Sequence, residues 1–254
     1  MISKRLLPLL HLALVTSAMV SPAIASTGSD SQHSLNVELV GTGTALQFAQ
    51  PTRLESVLKH AKEQQVILQY PLAVTLFDNS KKARQESVSL KNAVLNQMIQ
   101  HNLVAHPFYK FIKQSQFAPR VLSAVDIDQV RLDKFANPLL NGELALSAPT
   151  RQEAVFYVGN IDKVYTIENQ AGVSLETQIE RLQIDPIGQF EHAPILIYPD
   201  GNVIQPHHGS WLTKQYYLPP LTLVYIPFDE FENSPMDQDI VNLLSQRKPT
   251  LPKN

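Results

Sequence analysis

Cysteine is absent from all 254 residues. That rules out disulfide staples, thiolate zinc sites, thiol nucleophiles and the acylated cysteine of a lipoprotein, so packing alone must hold the fold. Excess charge of one sign is also missing. With 21 Lys and Arg against 23 Asp and Glu the formal net charge is −2, and a broad basic surface for nucleic acid is not expected. Glycine numbers nine and tryptophan one. Gly41 and Gly43 belong to no GxGxxG and precede no Walker lysine, so a phosphate loop is not indicated. Beyond the N-terminus no apolar run is long enough to span a membrane.

The N-terminus itself reads as a secretory signal peptide. Lys4 and Arg5 precede an apolar run from Leu6 to Val20, and Ala23-Ile24-Ala25 supplies a small-residue cleavage site, with cleavage expected after Ala25. Pro8 and His11 interrupt the run, which falls short of the ~20 residues of a spanning helix. Removing residues 1–25 leaves 19 basic and 23 acidic side chains, a charge of −4. Residues 26–34 are small and polar, a flexible leader. The whole sequence is 44% hydrophobic and 17% charged. That is the balance of a globular chain, long enough for one large or two small domains.

Along the chain, LNVELVGTGTALQF predicts two half-buried strands joined by a glycine turn. RLESVLKHAKEQ carries Leu54, Val57, Leu58 and Ala61 at helical spacing, with Thr52 and Glu55 as a capping box. LAVTLF (72–77) predicts a strand. Residues 80–117 predict an inserted helical hairpin, RVLSAVDID a strand, DQVRLDKFANPLL a short helix or turn, and Asn141-Gly142 a turn into ELALSAP. A second unit follows Pro149: AVFYVG, KVYTIE, the helix SLETQIERL, APILIYP, NVIQP and LTLVYIPF. Its order, β-β-α-β-β-β, is that of a β-grasp roll. Asp200-Gly201 predicts a two-residue hairpin turn with positive φ at both positions. In SPMDQDIVNLLSQRKP, Ser234, Pro235 and Asp237 form a helix start, Arg247 and Lys248 fall in the last turn, and Met236, Ile240, Leu243 and Leu244 line one face.

The chemistry-bearing candidates are few. His207 and His208 are adjacent, so on a strand they point to opposite faces, and a zinc site would need His192 or Glu191 from across the sheet. Ser210 lacks the G-x-S-x-G elbow. Trp211, with Tyr216 and Tyr217, offers either a core aromatic cluster or a stacking surface for sugar. Asp126 and Asp128 on a strand would share one face ~7 Å apart, the layout of a glycosidase pair, or would pair with Arg131. Arg131 lies between apolar positions, either half-buried and hydrogen-bonded or in a surface salt bridge. No catalytic, cofactor or metal residue is assigned.

VELVG, PTRL, VDIDQVR, NPLLNGELALSAPTR, VFYVGN, IYPDGNVI and LPPLTLVYIPF, in this order across almost the whole mature chain, resemble the capsule-biosynthesis GfcC-like family. The resemblance implies a periplasmic protein of capsule or exopolysaccharide machinery, similar to the β-grasp (SLBB) part of outer-membrane polysaccharide export proteins. It implies an α+β chain of two tandem β-grasp domains, at 35–148 with a helical insertion and at 149–230, then an amphipathic helix at 234–248. The implied role is a non-enzymatic accessory of polysaccharide assembly and export, with a polysaccharide-modifying enzyme and a protein-only scaffold as alternatives. Expected partners are a capsular or extracellular polysaccharide, an export protein, or both. Arg131, Trp211, Tyr216, Ile240, Leu243 and Leu244 are the candidate contacts, and no cofactor is expected. Where the family has Pro-Gly before the last strand, this chain has Pro219-Pro220, which implies a different turn.

Overall fold

Alternation in LNVEL buries Leu35, Val37 and Leu39 on one side of β1 (Leu35–Leu39), and Gly41 and Gly43, both at positive φ, turn the chain into antiparallel β2 (Thr44–Phe48). The computed structural model describes residues 34–169, 171–184, 192–206 and 215–249. The expected signal peptide and nearly all of the leader, together with His207, His208, Ser210 and Trp211, lie outside them.

The first half continues through β3 (Thr52–Arg53), α1 (Leu54–Glu63), β4 (Thr75–Asp78), α2 (Lys81–Gln100), α3 (Pro107–Gln114), β5 (Arg120–Leu122), α4 (Ile127–Leu132), β6 (Leu139–Leu140) and β7 (Gly142–Ser147). The second half contains β8 (Ala154–Gly159), β9 (Tyr165–Glu168), α5 (Leu175–Ile184), β10 (Ile195–Ile197), β11 (Val203–Ile204), β12 (Leu223–Ile226) and α6 (Pro235–Ser245). The protein is α+β, with two mixed five-stranded sheets ordered β2-β1-β7-β4-β5 and β11-β10-β12-β8-β9, and a small β3-β6 ribbon. Numbered by chain order within each sheet, and read from the edge that holds the second strand, both run 2-1-5-3-4. In each, the first and last strands form a parallel pair, β1 with β7 and β8 with β12, and a helix follows the second strand.

The two sheets are covered differently. Against the first, α1 and α4 pack Leu54, Val57, Leu58, Ala61 and Val130 onto Leu35, Val37, Leu39, Leu76, Leu144 and Leu146. Its opposite face carries a small cluster of Phe77, Ala118 and Ala145, with Thr75 and Ser147 buried beside it. On the second sheet, α5 covers Val155, Tyr157, Leu196, Val224 and Ile226 with Leu175 and Ile179. The other face, with Val158, Ile195, Ile197, Leu223 and Tyr225, is covered by Val94 and Met98 of α2, Phe108 and Ile112 of α3, and Met236, Ile240, Val241, Leu243 and Leu244 of α6. A strand buried on both faces needs apolar residues at every position, as in ILI and LVYI, all buried.

Ser234 caps α6, accepting from Asp237 N (3.2 Å), and Pro235 takes the first turn. Asp237 is fully buried. Its carboxylate accepts from the Tyr225 and Ser234 hydroxyls and from Phe228 N (2.9 Å), which ties the helix start to β12. Burial, then the Asp237 charge and hydrogen bond, push the Tyr225 phenol well above its ordinary range.

Several local expectations are corrected. Thr52 does not cap α1, since its hydroxyl donates to Gln50 O (2.9 Å). Asn137 does so from 82 residues away, its Oδ1 accepting from Glu55 N (3.0 Å). RVLSAVDID is a strand only at Arg120–Leu122, and LAVTLF opens as a 3-10 turn at Pro71–Ala73. The Asp200-Gly201 hairpin is longer than two residues, and Gly201 alone has positive φ (86°). Gly201 N to Tyr198 O (2.8 Å) and Tyr198 N to Asn202 O (2.9 Å) close it. Arg247 and Lys248 are not in the last turn of α6, which ends at Ser245. At Pro219-Pro220 the positive φ passes to Leu221 (68°). Thr222 N closes the turn onto Pro219 O (3.2 Å), the pattern of a type II turn.

Candidate functional site

After α6 the chain runs antiparallel to residues 116–118, through Ala118 N to Gln246 O (3.0 Å), Lys248 N to Gln116 O (2.8 Å) and a bridge between Phe117 and Arg247. Neighbouring side chains on such a segment point opposite ways. Lys248 is buried beneath the first sheet, its Nζ 6.0 Å from the Phe77 ring centre and donating to Asn79 Oδ1 (3.3 Å). Burial lowers its pKa, opposed by Glu38 and aided by Arg84.

Arg247 lines a cleft of about 330 Å³ bounded by β5, the end of α3, residues 149–152, β8, the β10–β11 loop and the tail. The walls are mainly apolar or aromatic, including Phe111, Phe156, Tyr198, Leu221 and Leu223, with Gln114, Ser115, Thr150, Gln152 and Thr166 among them.

Two guanidinium groups reach this cleft, and they differ. Arg120 is bonded within the fold: its Nε donates to Ser245 O (2.6 Å) and its Nη1 to Thr75 Oγ1 (2.9 Å) and Pro199 O (3.1 Å). It also lies 5.2 Å from the Phe77 ring centre. One side chain thus joins the first sheet, the β10–β11 loop and the end of α6. A Cβ at position 201 would collide with the Arg120 side chain, so glycine there serves both the turn and the arginine. Arg247 lies 5.2 Å from the Phe111 ring centre, but its buried Nε has no hydrogen-bond partner, and no ion pair to it is found among the described residues. Burial pushes both arginines down to about 10, with Asp200 partly opposing this for Arg120.

The sequence-derived candidates lie elsewhere or inside the fold. Arg131 is exposed on α4, 3.9 Å from Asp128 Oδ1. Asp126 is not on a strand but caps α4, its Oδ1 accepting from Asp128 N (2.8 Å). Tyr216 is buried beside α5, its carbonyl accepting from Leu175 N (2.7 Å). Ile240, Leu243 and Leu244 are buried against the second sheet, and Leu244 also lines the cleft. Trp211 lies outside the described residues. Among the described residues no three His, Asp or Glu side chains gather as a metal site.

Arg120 and Arg247 carry no signal in the sequence: QRKP reads as a solvated helix end, and PRVL as the start of a strand. A second feature that sequence reasoning missed is apolar exposure after α4, where Leu132 is 89% and Phe135 83% accessible.

The chain matches no family model and no curated protein. No helix of the described residues is long and apolar enough to cross a membrane.

Proposed function

We propose that this chain is a non-enzymatic periplasmic accessory of capsule or exopolysaccharide assembly and export, made of two tandem β-grasp units and acting by binding glycan or a component of the export machine. The observation that carries the reading is the repeated 2-1-5-3-4 strand order, each with a central parallel pair and a helix after the second strand. That order supports the β-grasp reading, and it accompanies the motifs from VELVG to LVYIPF that resemble the GfcC-like family. Fold alone does not assign function, so the pathway rests on those motifs and the signal-like N-terminus.

Recognition rather than reaction fits the residues available: Asp126 is engaged as a helix cap, and the built cavity offers a guanidinium with aromatic walls. The test is genetic. Removing the protein from its host should reduce surface polysaccharide, and a variant with alanine at Asp126, Asp128, His207 and His208 should restore it. Failure of that variant, folded and exported normally, would favour a polysaccharide-modifying enzyme. The exposed Leu132 and Phe135 favour a second reading, a scaffold that contacts only protein. Capture of an export protein from membrane extract, with no measurable binding of the cognate polysaccharide, would select it.

A further inference from the structure

A guanidinium enclosed without an anionic partner is costly, because the lost hydration is replaced by nothing. Among the described residues Arg247 is in that position. The Phe111 ring holds it from one side and its Nε is left without an acceptor, while it lines the cleft. The other charges near the cleft do not relieve it. Arg120 is a second cation, already bonded to Ser245, Thr75 and Pro199, with Asp200 close enough to act on it. Arg151 stands over Tyr70 and is paired with Glu153 at 2.6 Å. An anion entering the cleft would therefore meet a guanidinium with no anionic partner among the described residues, in a positive field.

We infer that the cleft is a binding site for a sugar bearing a carboxylate, such as a uronic acid unit, with the carboxylate on Arg247 and the ring against Phe156 and Tyr198. This rests on the glycan-binding reading above and names its ligand. The planar guanidinium fork matches a carboxylate in two parallel hydrogen bonds. Aromatic and aliphatic walls suit the apolar face of a pyranose ring, and Gln114, Thr150 and Gln152 offer partners for hydroxyl groups. The cleft volume is about 330 Å³. Such a space takes a sugar unit and lies near the lower end of the sizes usual for small-ligand sites.

The test is calorimetric titration of the purified chain with digalacturonate, with neutral digalactose, and with inorganic phosphate. Digalacturonate should bind at least tenfold more tightly than either. Arg247→Gln should reduce its binding to the level of digalactose while leaving the melting temperature unchanged or higher, since an unpaired enclosed charge is removed. Arg247→Lys, which keeps the charge without the fork, should fall between, and Arg131→Gln on the open surface should bind as the parent does. Equal binding of the acidic and neutral disaccharides, tighter binding of phosphate, or full binding by a folded Arg247→Gln chain would overturn the inference. The two readings fail separately. An Arg247→Gln chain that restores surface polysaccharide fully removes the cleft's role and leaves the accessory reading standing. Arg247-dependent binding in a chain whose loss leaves surface polysaccharide intact does the reverse.

Discussion

The two sheets share one strand order and have different interiors. In the first, β1 alternates, with Leu35, Val37 and Leu39 buried and Glu38 exposed, and only one face has a large core. In the second, β10 and β12 are buried at every position because helices lie on both faces. The extra layer is not local. It is built from α2 and α3, which belong to the first half in sequence, and from α6 at the far end. One topology thus gives a sheet with one large apolar core or a sheet with two, depending on where the remaining helices dock. The enclosed sheet holds the second half to the first.

Equivalent positions give the sharpest contrast. Leu39 pairs with Leu146, and Val40 N donates to Leu146 O (2.9 Å); Gly159 pairs with Ile226, and Asn160 N donates to Ile226 O (2.8 Å). The first sheet accepts leucine where the second has glycine at φ 110°, whose Cβ would collide with Ile226 O. Gly159→Ala should therefore be the most damaging single change, costing on the order of 4 kcal/mol or leaving the chain insoluble, whereas Leu39→Ala should cost about 2–4 kcal/mol as an ordinary core truncation. Urea unfolding midpoints check the pair.

Next in size is the attachment of α6. Asp237→Ala leaves the Tyr225 and Ser234 hydroxyls and Phe228 N without their acceptor. A loss of about 3 kcal/mol is expected by thermal or urea unfolding.

The equivalent helices start by different means. α1 is capped from a distance by Asn137, and at the start of α5 Ser174 Oγ accepts from Thr177 N at 3.4 Å. Asn137→Ala should cost about 1 kcal/mol and Ser174→Ala about half that, a difference readable in parallel denaturation curves.

How much the sequence showed follows the same division. Local patterns were legible: the alternation in LNVEL, the Ser234-Pro235-Asp237 helix start, and the apolar strands around Asp200-Gly201. What depended on distant residues was not. Thr52 and Glu55 look like a capping box, but Asn137 outcompetes Thr52 for the helix start. Ile240, Leu243 and Leu244 read as one apolar face from their spacing, which leaves open what covers it; in the fold β10 and β12 do. Arg247 follows a helix among polar neighbours and gains its enclosed position only because the tail pairs with residues 116–118. The site was therefore less visible than the fold.

Leu221, at positive φ, gives the smallest effect. A left-handed leucine costs about 1–2 kcal/mol; glycine costs about 0.5–1 kcal/mol in chain entropy and gives up the apolar burial of the leucine in the cleft wall, so Leu221→Gly should change stability by less than about 1 kcal/mol. A melting temperature within a few degrees of the parent's is expected.

Whether the enclosing layer is part of the fold decides the comparison, and amide hydrogen exchange of α6 measures that directly. If α6 is integral, amides of residues 239–245 exchange as slowly as those of Leu223–Ile226, through unfolding of the whole chain. Exchange orders of magnitude faster in α6, with β12 still protected, would show a detachable arm and contradict the account.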